Sequence, residues 1–511
     1  MKKQKVRYIL GIDLGTTYSS VAVYKNNEVE IIPINSKLSI PSYVTFTEDG
    51  QVLCGYVAKD QASQYLNSTV FDSKRLIGRK FTDPIIKECK DLWPFTVVQD
   101  GGVPKIKIQF QNSQKIFLPE EISSEILKEL KGLAEDFYSV KIDEAVITIP
   151  ADFNSNQRQA TRKAGELAGL KVLRLIEEPT AAAIACGLKE NSNYNNKKIL
   201  IFDFGGGTLD VSILNVDKND FQVIATDGDP HLGGQDFDNN LLHYVAKCFK
   251  EKHNCDFLQN KRSVLFVKDK CEEAKIVLAK NQKTTISCPS LCGIDYKIEI
   301  KREEFESINS ELFDRILNPV KRVLEDKGLF KENIDDYILI GGSSKIPKVR
   351  SILREYFGKE PLNLTRVHPE LAVVSGAAIL GGDIAGNEYP IVRIRSVLPH
   401  SLGVELYNGE MQKIIAKNTN IPIEVHENYT TASDYQNQIK ISVFMGEDQT
   451  ARNNSFLGEF LMGGITNGKI GEPKITVTFK VDEEGILKVS ALDTKTGAYK
   501  EGNMKNVLHI M

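Results

Sequence analysis

The sequence predicts a duplicated α/β domain followed by an all-β sandwich. Two segments of the chain repeat one order of elements: a buried-type strand, an aspartate, a glycine-rich turn and a second strand. Asp13 and Asp203 occupy the same place in the two repeats, which indicates two similar lobes around one cleft. From about residue 398 the chain changes to short alternating apolar and polar runs, the pattern of a sandwich with about eight strands.

Local patterns predict the elements of the first domain in order. The first repeat joins residues 8–13 to 20–23, and the second joins 199–204 to 211–214. Between them, residues 145–149 form an apolar run of strand length, and apolar residues at helical spacing predict helices from about 119 and about 155. The chain is mostly helical from 236 to about 284, and residues 338–344 supply one more strand that ends in a glycine turn.

Composition excludes several classes of function. Of 511 residues, 41% are hydrophobic and 26% charged, and the net charge of −3 gives no reason to expect nucleic-acid binding. The apolar run at residues 8–10 is too short for a signal peptide or a membrane span. Eight cysteines without a CxxC pair favour reduced thiols. We expect a cytoplasmic protein with no membrane insertion, and the endoplasmic reticulum is the alternative if the start is incomplete.

The two glycine turns are candidate phosphate-binding loops. They read Gly-Thr-Thr at residues 15–17 and Gly-Gly-Gly-Thr at 205–208. Glycine lets the backbone bend and approach an anion without a Cβ, so that several N–H groups converge on one phosphate. A single glycine cluster usually marks an ordinary turn. Two clusters, each led by a strand and an aspartate, predict a clasp that holds a polyphosphate from two sides.

Three aspartates stand beside these turns and would repel a phosphate unless a cation lay between them. They are Asp13, Asp203 and Asp210. Mg²⁺ suits this place because it keeps most of its water shell and needs few protein ligands. The alternative for Asp210 is a turn-capping role.

Four motifs resemble signatures of the DnaK-type 70-kDa heat-shock chaperone family, and the likeness extends from about residue 10 to 497. The motifs are residues 11–19, 178–183, 202–211 and 339–347, with a further match at 74–79. The resemblance implies an actin-like, ribonuclease H-like duplicated ATPase domain in residues 1–387, a linker at 388–397, and a peptide-binding β-sandwich at 398–511 that lacks the helical lid. Residues 231–237 and 370–376 resemble the microsomal Stch branch.

The resemblance also implies roles for individual residues, with ATP or ADP, Mg²⁺ and K⁺ as cofactors. The metal ions would lie near Asp13, Asp203 and Asp210. The hydrolytic residues would be Lys74, Glu178, Asp203 and Thr208. The nucleotide would be held by Gly15, Thr16, Thr17, Tyr18, Gly205, Gly206, Gly207, Thr208, Gly233, Gly234, Glu272, Lys275, Ala279, Gly341, Gly342, Ser343, Lys345 and Glu370. Pro150 and Arg158 match the family's interdomain hinge.

Alignment with the family's peptide-binding cleft selects five residues of the sandwich. They are Met411, Tyr429, Ala432, Ile439 and Ile441. An extended apolar segment of an unfolded client would lie between loops there, held by backbone hydrogen bonds and side-chain pockets. The alternative is that these residues are ordinary sandwich core.

Three departures from the family pattern change the expected nucleotide affinity, linker docking and domain content. Ile276, Ala279 and Lys345 replace other residues in the nucleoside pocket, which should weaken nucleotide binding. Glu370 stands where the family has an aspartate, one methylene longer near the cation region. The linker carries Arg393 and Arg395 and lacks the family's aspartate, which argues against a docked linker and against stimulation by J-domain proteins. The sequence stops after the last sandwich strands, so we expect neither a lid nor a tetratricopeptide-binding tail.

The main hypothesis is a slow ATPase chaperone that binds apolar segments of unfolded proteins, with J-domain proteins and nucleotide exchange factors as partners. A second hypothesis is a nucleotide-holding regulatory co-chaperone or exchange factor for another chaperone. A third is a sugar or glycerol kinase, which would need a carboxylate base beside a hydroxyl substrate. No sugar site is evident in the sequence.

Overall fold

The first lobe of the α/β domain is built on one mixed sheet flanked by helices. The structure, a computed structural model, describes residues 7–34, 36–90, 92–111, 113–189, 195–364, 367–386 and 392–502. The strands of this lobe are β1 (Leu10–Asp13), β2 (Tyr18–Lys25), β3 (Glu28–Ile31), β4 (Ile40–Pro41), β5 (Val44–Phe46), β6 (Val52–Cys54), β7 (Thr69–Val70), β8 (Thr96–Asp100), β9 (Val103–Phe110), β10 (Ser113–Phe117), β11 (Glu144–Ile149) and β12 (Lys171–Glu177). Its helices are α1 (Gly55–Gln61), α2 (Ser73–Leu76), α3 (Pro84–Cys89), α4 (Pro119–Tyr138) and α5 (Ser155–Leu167).

The second lobe repeats the central strand arrangement of the first. Its strands are β13 (Lys197–Phe204), β14 (Leu209–Asp217), β15 (Asp220–Asp229), β16 (Lys283–Leu291), β17 (Ile294–Lys301) and β18 (Asp336–Ile340). Its helices are α6 (Glu178–Lys189), α7 (Gly234–His253), α8 (Lys261–Leu278), α9 (Arg302–Ile308), α10 (Ser310–Arg315), α11 (Leu317–Glu325), α12 (Pro347–Phe357) and α13 (Ala372–Ile384). β1 pairs antiparallel with β2 and parallel with β11, and β13 pairs antiparallel with β14 and parallel with β18. The predicted repeat is therefore present.

Helices α6 and α13 pack against each other where the two lobes meet. Small residues permit this contact: a Cβ on Gly376 would lie 1.7 Å from the carbonyl oxygen of Ala181. Gly11 makes a similar close approach, since its Cβ would lie 2.2 Å from the backbone nitrogen of Ala378. Apolar residues of both helices share one buried cluster with strands of both sheets. This contact brings the ends of β1 and β13, and hence both glycine turns, to the same cleft.

The linker forms a strand that joins the two domains. This strand, β19 (Arg393–Val397), pairs parallel with β15 and antiparallel with β22 (Asn420–Ile421). Successive residues of a strand face opposite sides. Arg393 and Arg395 are accordingly exposed, Arg395 Nη2 lies 2.7 Å from Asp220 Oδ2, and Ser396 is buried. The expectation that the arginines oppose a docked linker is wrong, because neither side chain is buried. Linker residues 388–391 lie outside the described residues.

The C-terminal part is a sandwich of two four-stranded sheets, as predicted. The remaining strands are β20 (Leu402–Glu405), β21 (Met411–Ile415), β23 (Ile423–Tyr429), β24 (Gln438–Met445), β25 (Ser455–Gly463), β26 (Ile475–Val481), β27 (Leu487–Asp493) and β28 (Tyr499–Gly502). One sheet has the order β21-β20-β24-β25 and the other β23-β26-β27-β28, with a shared apolar core. In the described part of the chain, every helix is too short or too polar to cross a membrane.

Candidate functional site

The two glycine turns face each other across the cleft. A Cβ added to Gly206 would lie 2.5 Å from Thr17 Oγ1, and one added to Gly207 would lie 2.8 Å from Thr16 Oγ1. These distances are shorter than side-chain contacts allow, so glycine is required where the turns meet. The structure therefore brings together the two loops that the sequence identified as phosphate clasps.

Each turn is closed by its own local hydrogen bonds. In the first turn the Gly15 N–H donates to Ser19 Oγ over 3.1 Å, and a Cβ on Gly15 would lie 2.0 Å from the Tyr18 carbonyl oxygen. In the second turn the Gly205 N–H donates to the Thr208 carbonyl over 3.1 Å. Glycine turns of this kind can present backbone N–H groups to an anion.

The start of α7 lies against the second turn. The Gly234 N–H donates to the Gly205 carbonyl over 3.0 Å, and a Cβ on Gly233 would lie 2.5 Å from the Gly206 carbonyl oxygen. Ser343 Oγ also donates to the Gly205 carbonyl, over 2.8 Å. The second turn, the start of α7 and Ser343 are far apart in the sequence, and each is predicted to belong to one site. They meet at Gly205.

The turn after β18 and the segment before α13 form the outer edge of the cleft. Gly341 has a φ of +78°, and a Cβ there would lie 2.3 Å from the Phe204 carbonyl oxygen. The Lys345 ammonium and the Glu370 carboxylate are 2.7 Å apart, and a Cβ on Gly342 would lie 3.7 Å from Glu370 Oε1. Lys345 and Glu370, which both differ from the family pattern, therefore form an ion pair with each other.

Glu272 on α8 connects the second lobe to the first. Tyr18 donates its hydroxyl to Glu272 Oε1 over 3.3 Å, and Lys59 Nζ donates to Oε2 over 3.0 Å. Burial raises the pKa of the Glu272 carboxyl, but Lys59 and Lys275 outweigh it and the net pKa is lowered. Glu272 is therefore ionised, and it clamps α8 of the second lobe to Tyr18 and Lys59 of the first.

The end of α8 places one predicted lysine and two apolar residues beside the cleft. Lys275 Nζ donates to the Gly234 carbonyl over 2.8 Å and to Asp238 Oδ2 over 2.6 Å. Burial raises the pKa of Asp238 to about 6, although Lys275 opposes it. Sequence reasoning missed Asp238, because no motif marks it. Ile276, the next residue, is 55% exposed, and Ala279, one turn beyond Lys275, is half-buried.

Lys74 and Glu178 form a buried ion pair between the lobes. Lys74 Nζ donates to Glu178 Oε1 over 2.5 Å, and the two side chains are 8% and 12% exposed. Burial lowers the pKa of Lys74, but the carboxylates of Glu178 and Asp13 outweigh that effect and the net pKa is raised. The lysine is therefore protonated at neutral pH, and it presents a fixed positive charge to the cleft.

The three aspartates lie around this pair, with Asp203 and Asp210 buried and Asp13 partly buried. Burial, reinforced by the Glu178 carboxylate, raises the pKa of Asp13 to about 7. Burial also raises the pKa of Asp203 and of Asp210 well above the usual range. Thr208 Oγ1 donates to Asp210 Oδ2 over 2.9 Å, but Asp210 Oδ1 is buried with no partner among the described residues.

This arrangement fits a cation that is held mostly by water. Within the described ranges, no group of three or more carboxylate, histidine or cysteine side chains converges tightly enough to bind a metal ion directly. Mg²⁺ commonly keeps several waters and binds through one or two carboxylates together with substrate phosphates. The orphaned Asp210 oxygen and the raised carboxyl pKa values are the features that a cation would relieve.

Of the two predicted hinge residues, Arg158 bonds across the contact between the domains. Pro150 follows β11 directly. Arg158 Nε donates to the Phe153 carbonyl over 2.8 Å, and Arg158 Nη1 donates to Glu177 Oε1 over 2.9 Å and to the Glu484 carbonyl of the sandwich over 2.7 Å. Glu177 was missed in the sequence, although it directly precedes the 178–183 motif. An acidic residue next to an expected functional glutamate is the signal that marks it.

The five candidate peptide-binding residues divide into separate groups. Ile439 and Ile441 are buried in the main sandwich core, and Tyr429 packs against that core. Met411 belongs to a different small apolar cluster, and Ala432 is exposed on the loop after β23. The burial of Ile439 and Ile441 agrees with the alternative that these two residues belong to the ordinary core of the sandwich.

Comparison with known proteins gives one consistent result. A family model described as Hsp70 protein matches residues 9–509. A heat shock 70 kDa protein of Neurospora crassa is 43% identical over 504 residues, which are 97% of this chain and 77% of the relative. A second heat shock protein, from Pyricularia oryzae, is 42% identical over 494 residues, which are 96% of this chain and 80% of the relative.

Proposed function

Because this chain belongs to the Hsp70 protein family, we propose that the cleft around the two glycine turns is its ATPase site. The chain is an ATP-dependent molecular chaperone and an ATPase, and the co-chaperone alternative is not favoured. The observation that carries the site assignment is the convergence of both turns with the Lys74–Glu178 pair. The proposed division is an ATPase domain at 1–387, a linker at 388–397 and a sandwich at 398–511.

In the proposed site the turns hold the phosphates, and the buried Lys74 and Glu178 take part in hydrolysis. Backbone N–H groups of residues 15–18 and 205–208 would cradle the β- and γ-phosphates. Lys74 would neutralise charge on the transferred phosphoryl group, and Glu178 would orient the attacking water through its free oxygen. Phosphoryl transfer depends mainly on positioning and charge neutralisation, which fits a site without a strong base.

Cations complete the proposed chemistry. Members of this family bind ATP or ADP with Mg²⁺, and we add K⁺ to the proposal. Bound cations would neutralise charge on the phosphates. Asp13, Asp203 and Asp210 would hold their water shells, and the Thr208 hydroxyl would orient the Asp210 carboxylate as it does now.

The nucleoside would lie between α8 and the outer edge of the cleft. Glu272 and Lys275 would face the ribose, with Gly233 and Gly234 beneath it. Lys345 and Glu370 would border the base as an ion pair, and Ala279 with the exposed Ile276 would offer an apolar surface. Without a planar guanidinium there, we expect modest ATP affinity.

Unfolded polypeptides are the clients of this family, and we propose that the sandwich binds them in a cytoplasmic setting. Tyr407, on the turn after β20, is 92% exposed, and Tyr435, on the loop that carries Ala432, is also exposed. Exposed aromatic side chains on loops suit contact with apolar segments of a client. J-domain proteins and nucleotide exchange factors are further proposed partners.

Single-turnover hydrolysis in the wild type and in Lys74→Ala tests the proposed site. Losing a fixed charge that stabilises the transition state should lower the rate constant by about 100-fold, with ATP still bound. The control is Lys261→Ala, because Lys261 bonds only the carbonyls of Trp93 and Pro94 in the described contacts. Equal rate constants for wild type and Lys74→Ala would refute the assignment.

A further inference from the structure

Two cysteines of the second lobe are in contact although they belong to different elements. Cys255 follows the end of α7, and Cys292 lies in the turn between β16 and β17. The Cys292 thiol donates a hydrogen bond to the sulfur of Cys255. Cys255 is half-buried, and Cys292 is the one exposed residue among the eight free cysteines, all of which lie in the described ranges. The second lobe therefore holds two reduced thiols side by side at its surface.

Aromatic packing holds the end of α7 against the hairpin that carries Cys292. The ring of Tyr296 on β17 meets Phe249 and His253 of α7 edge to face, with centroid distances of 5.0 and 5.8 Å. Phe249 and Tyr296 are buried in one apolar cluster, and Cys255 packs against the same cluster. The contact between the two thiols is therefore set by the packing of α7 on the hairpin.

The backbone at Cys292 is one that the cysteine side chain does not favour. Cys292 and Gly293 form the turn of the hairpin, with φ values of +50° and +79°. A turn with two positive φ values favours asparagine followed by glycine. A cysteine in the left-handed region is strained, and such strain is typical of functional positions. Asparagine would relieve the strain at residue 292, but it would remove the sulfur.

A bond between the two sulfurs would enclose a helix of the proposed nucleotide site. The chain from Cys255 to Cys292 contains the whole of α8, which carries Glu272 and Lys275. Lys275 Nζ bonds the Gly234 carbonyl at the start of α7 over 2.8 Å. A disulfide restricts the chain that it closes. This crosslink would therefore restrict the movement of α8 relative to α7, and these two helices border the proposed nucleoside position.

We propose that Cys255 and Cys292 form a disulfide when a hydroperoxide oxidises the protein, and that this disulfide slows the release of ADP. In the reduced protein, α7 and α8 separate far enough for the nucleotide to leave. In the oxidised protein, the closed loop holds the two helices together. Formation of the disulfide rests on the contact between the thiols, and its effect on ADP rests on the proposed ATPase site.

The reaction consumes one hydrogen peroxide for each disulfide. The Cys255 sulfur attacks one peroxide oxygen and becomes a sulfenic acid, and its proton leaves with the other oxygen as water. The Cys292 sulfur then attacks the sulfenic sulfur, the S–O bond breaks, and the hydroxide leaves with the Cys292 proton as a second water. The two thiols lose two electrons and the peroxide gains them. The hydrogen bond with Cys255 raises the pKa of Cys292 to about 11, so Cys292 keeps its proton until the second step.

Peptide mapping of the full chain after treatment with hydrogen peroxide tests whether the bond forms. In the wild type, a peptide pair that joins residues 255 and 292 should represent more than about half of the molecules, and dithiothreitol should remove it. Cys292→Asn removes the thiol and suits the positive φ, so this variant should fold normally and lose the link. Absence of the link in the wild type, or links between molecules only, would overturn the inference.

The matched control is Cys54→Ser. Cys54 is also half-buried, but it lies in the first lobe, where its thiol donates to the Glu125 carbonyl over 3.6 Å. The oxidised variant should retain the link between residues 255 and 292. Loss of the link in Cys54→Ser would contradict a direct reaction between Cys255 and Cys292.

Stopped-flow release of a fluorescent ADP tests the effect of the bond. The oxidised wild type and oxidised Cys54→Ser should release ADP about threefold more slowly than the same proteins after reduction, because the closed loop restricts α8. Cys292→Asn should release ADP at one rate under both conditions. Equal release by the oxidised and reduced wild type would overturn the effect on ADP.

Hydrogen exchange of α8 without nucleotide separates this inference from the proposed ATPase site. The amides of α8 should exchange about threefold to tenfold more slowly in the oxidised wild type, and this difference should be absent in Cys292→Asn. Unchanged exchange in the oxidised wild type would overturn the restriction of α8. If the link forms and exchange slows while the reduced protein binds no ADP, the restriction of α8 is supported and the proposed nucleotide site is refuted.

Discussion

Gly206 lies so close to Thr17 that a Cβ at residue 206 would stand 2.5 Å from the threonine hydroxyl oxygen. The two residues come from different lobes, so the two glycine turns are in close contact across the cleft. In the proposed site, this contact would let backbone N–H groups of both turns bind one polyphosphate.

The first prediction concerns this contact. Gly206→Ala should separate the turns and raise the ATP Kd at least about tenfold, because the added carbon would overlap Thr17. Titration calorimetry measures the Kd. The control is Gly132→Ala, which lies in α4 with no atom near its Cβ and should stabilise the protein by about 0.5–1 kcal/mol. An unchanged ATP Kd in Gly206→Ala would show that the turns do not clasp the phosphates.

The second prediction concerns the clamp between the lobes. Glu272→Ala removes the acceptor of both Tyr18 and Lys59, so the cleft should open more often and ADP should dissociate about threefold to tenfold faster. Stopped-flow release of a fluorescent ADP measures this rate. Glu299→Ala is the control, because Glu299 pairs with Lys283 within one exposed hairpin. Equal release rates in both variants would argue against a clamp.

The third prediction concerns the ion pairs between the sandwich and the ATPase domain. Lys417 Nζ lies 2.7 Å from both Asp227 and Asp326, so Lys417→Ala should weaken docking by about 2 kcal/mol. Trypsin cleavage of the linker in ATP should become faster. Lys413→Ala is the control, because Lys413 pairs with Glu447 inside the sandwich. Equal protection in both variants would show that Lys417 does not hold the domains together.

The fourth prediction is a pH dependence of docking. Burial lowers the pKa of His400 below its ordinary value of 6.5; Asp152, Asp227 and Glu447 oppose this effect and Lys417 adds to it. The docked form therefore binds fewer protons than the undocked form, so docking is strongest above pH 6.5 and declines as the pH falls below that value.

Energy transfer between a dye on each domain, followed from pH 7.5 to 5.5, measures this dependence. The wild type should lose transfer below about pH 6.5, and His400→Gln should show a flatter curve. The comparison uses the difference between the two proteins, since buried carboxylates such as Asp238 titrate in the same range. Identical curves would contradict a role for His400.

Sequence reasoning succeeded where the local chain determines the structure. The turns at Gly15 and Gly206 were predicted because close backbone approach requires glycine there. The sandwich was predicted because alternating apolar residues are a local signal. The α/β repeat followed from two similar strand-turn-strand segments, which local patterns also reveal.

Sequence reasoning failed where a residue's contact partner lies far away along the chain. The linker arginines were expected to oppose docking. Their exposure and the pairing of Arg395 with Asp220 follow from the pairing of β19 with β15, which the local sequence does not reveal. Glu177 was missed for the same reason: its partner Ser396 is 219 residues away.

The dissociation rate of a labelled unfolded peptide in ATP and in ADP is the most direct test of the whole account. The paired linker and the docked sandwich connect the proposed nucleotide cleft to the proposed client-binding domain, so ATP should accelerate peptide release at least about tenfold in the wild type. Lys417→Ala should lose most of that acceleration. Equal dissociation rates in ATP and ADP for the wild type would contradict an ATP-regulated chaperone.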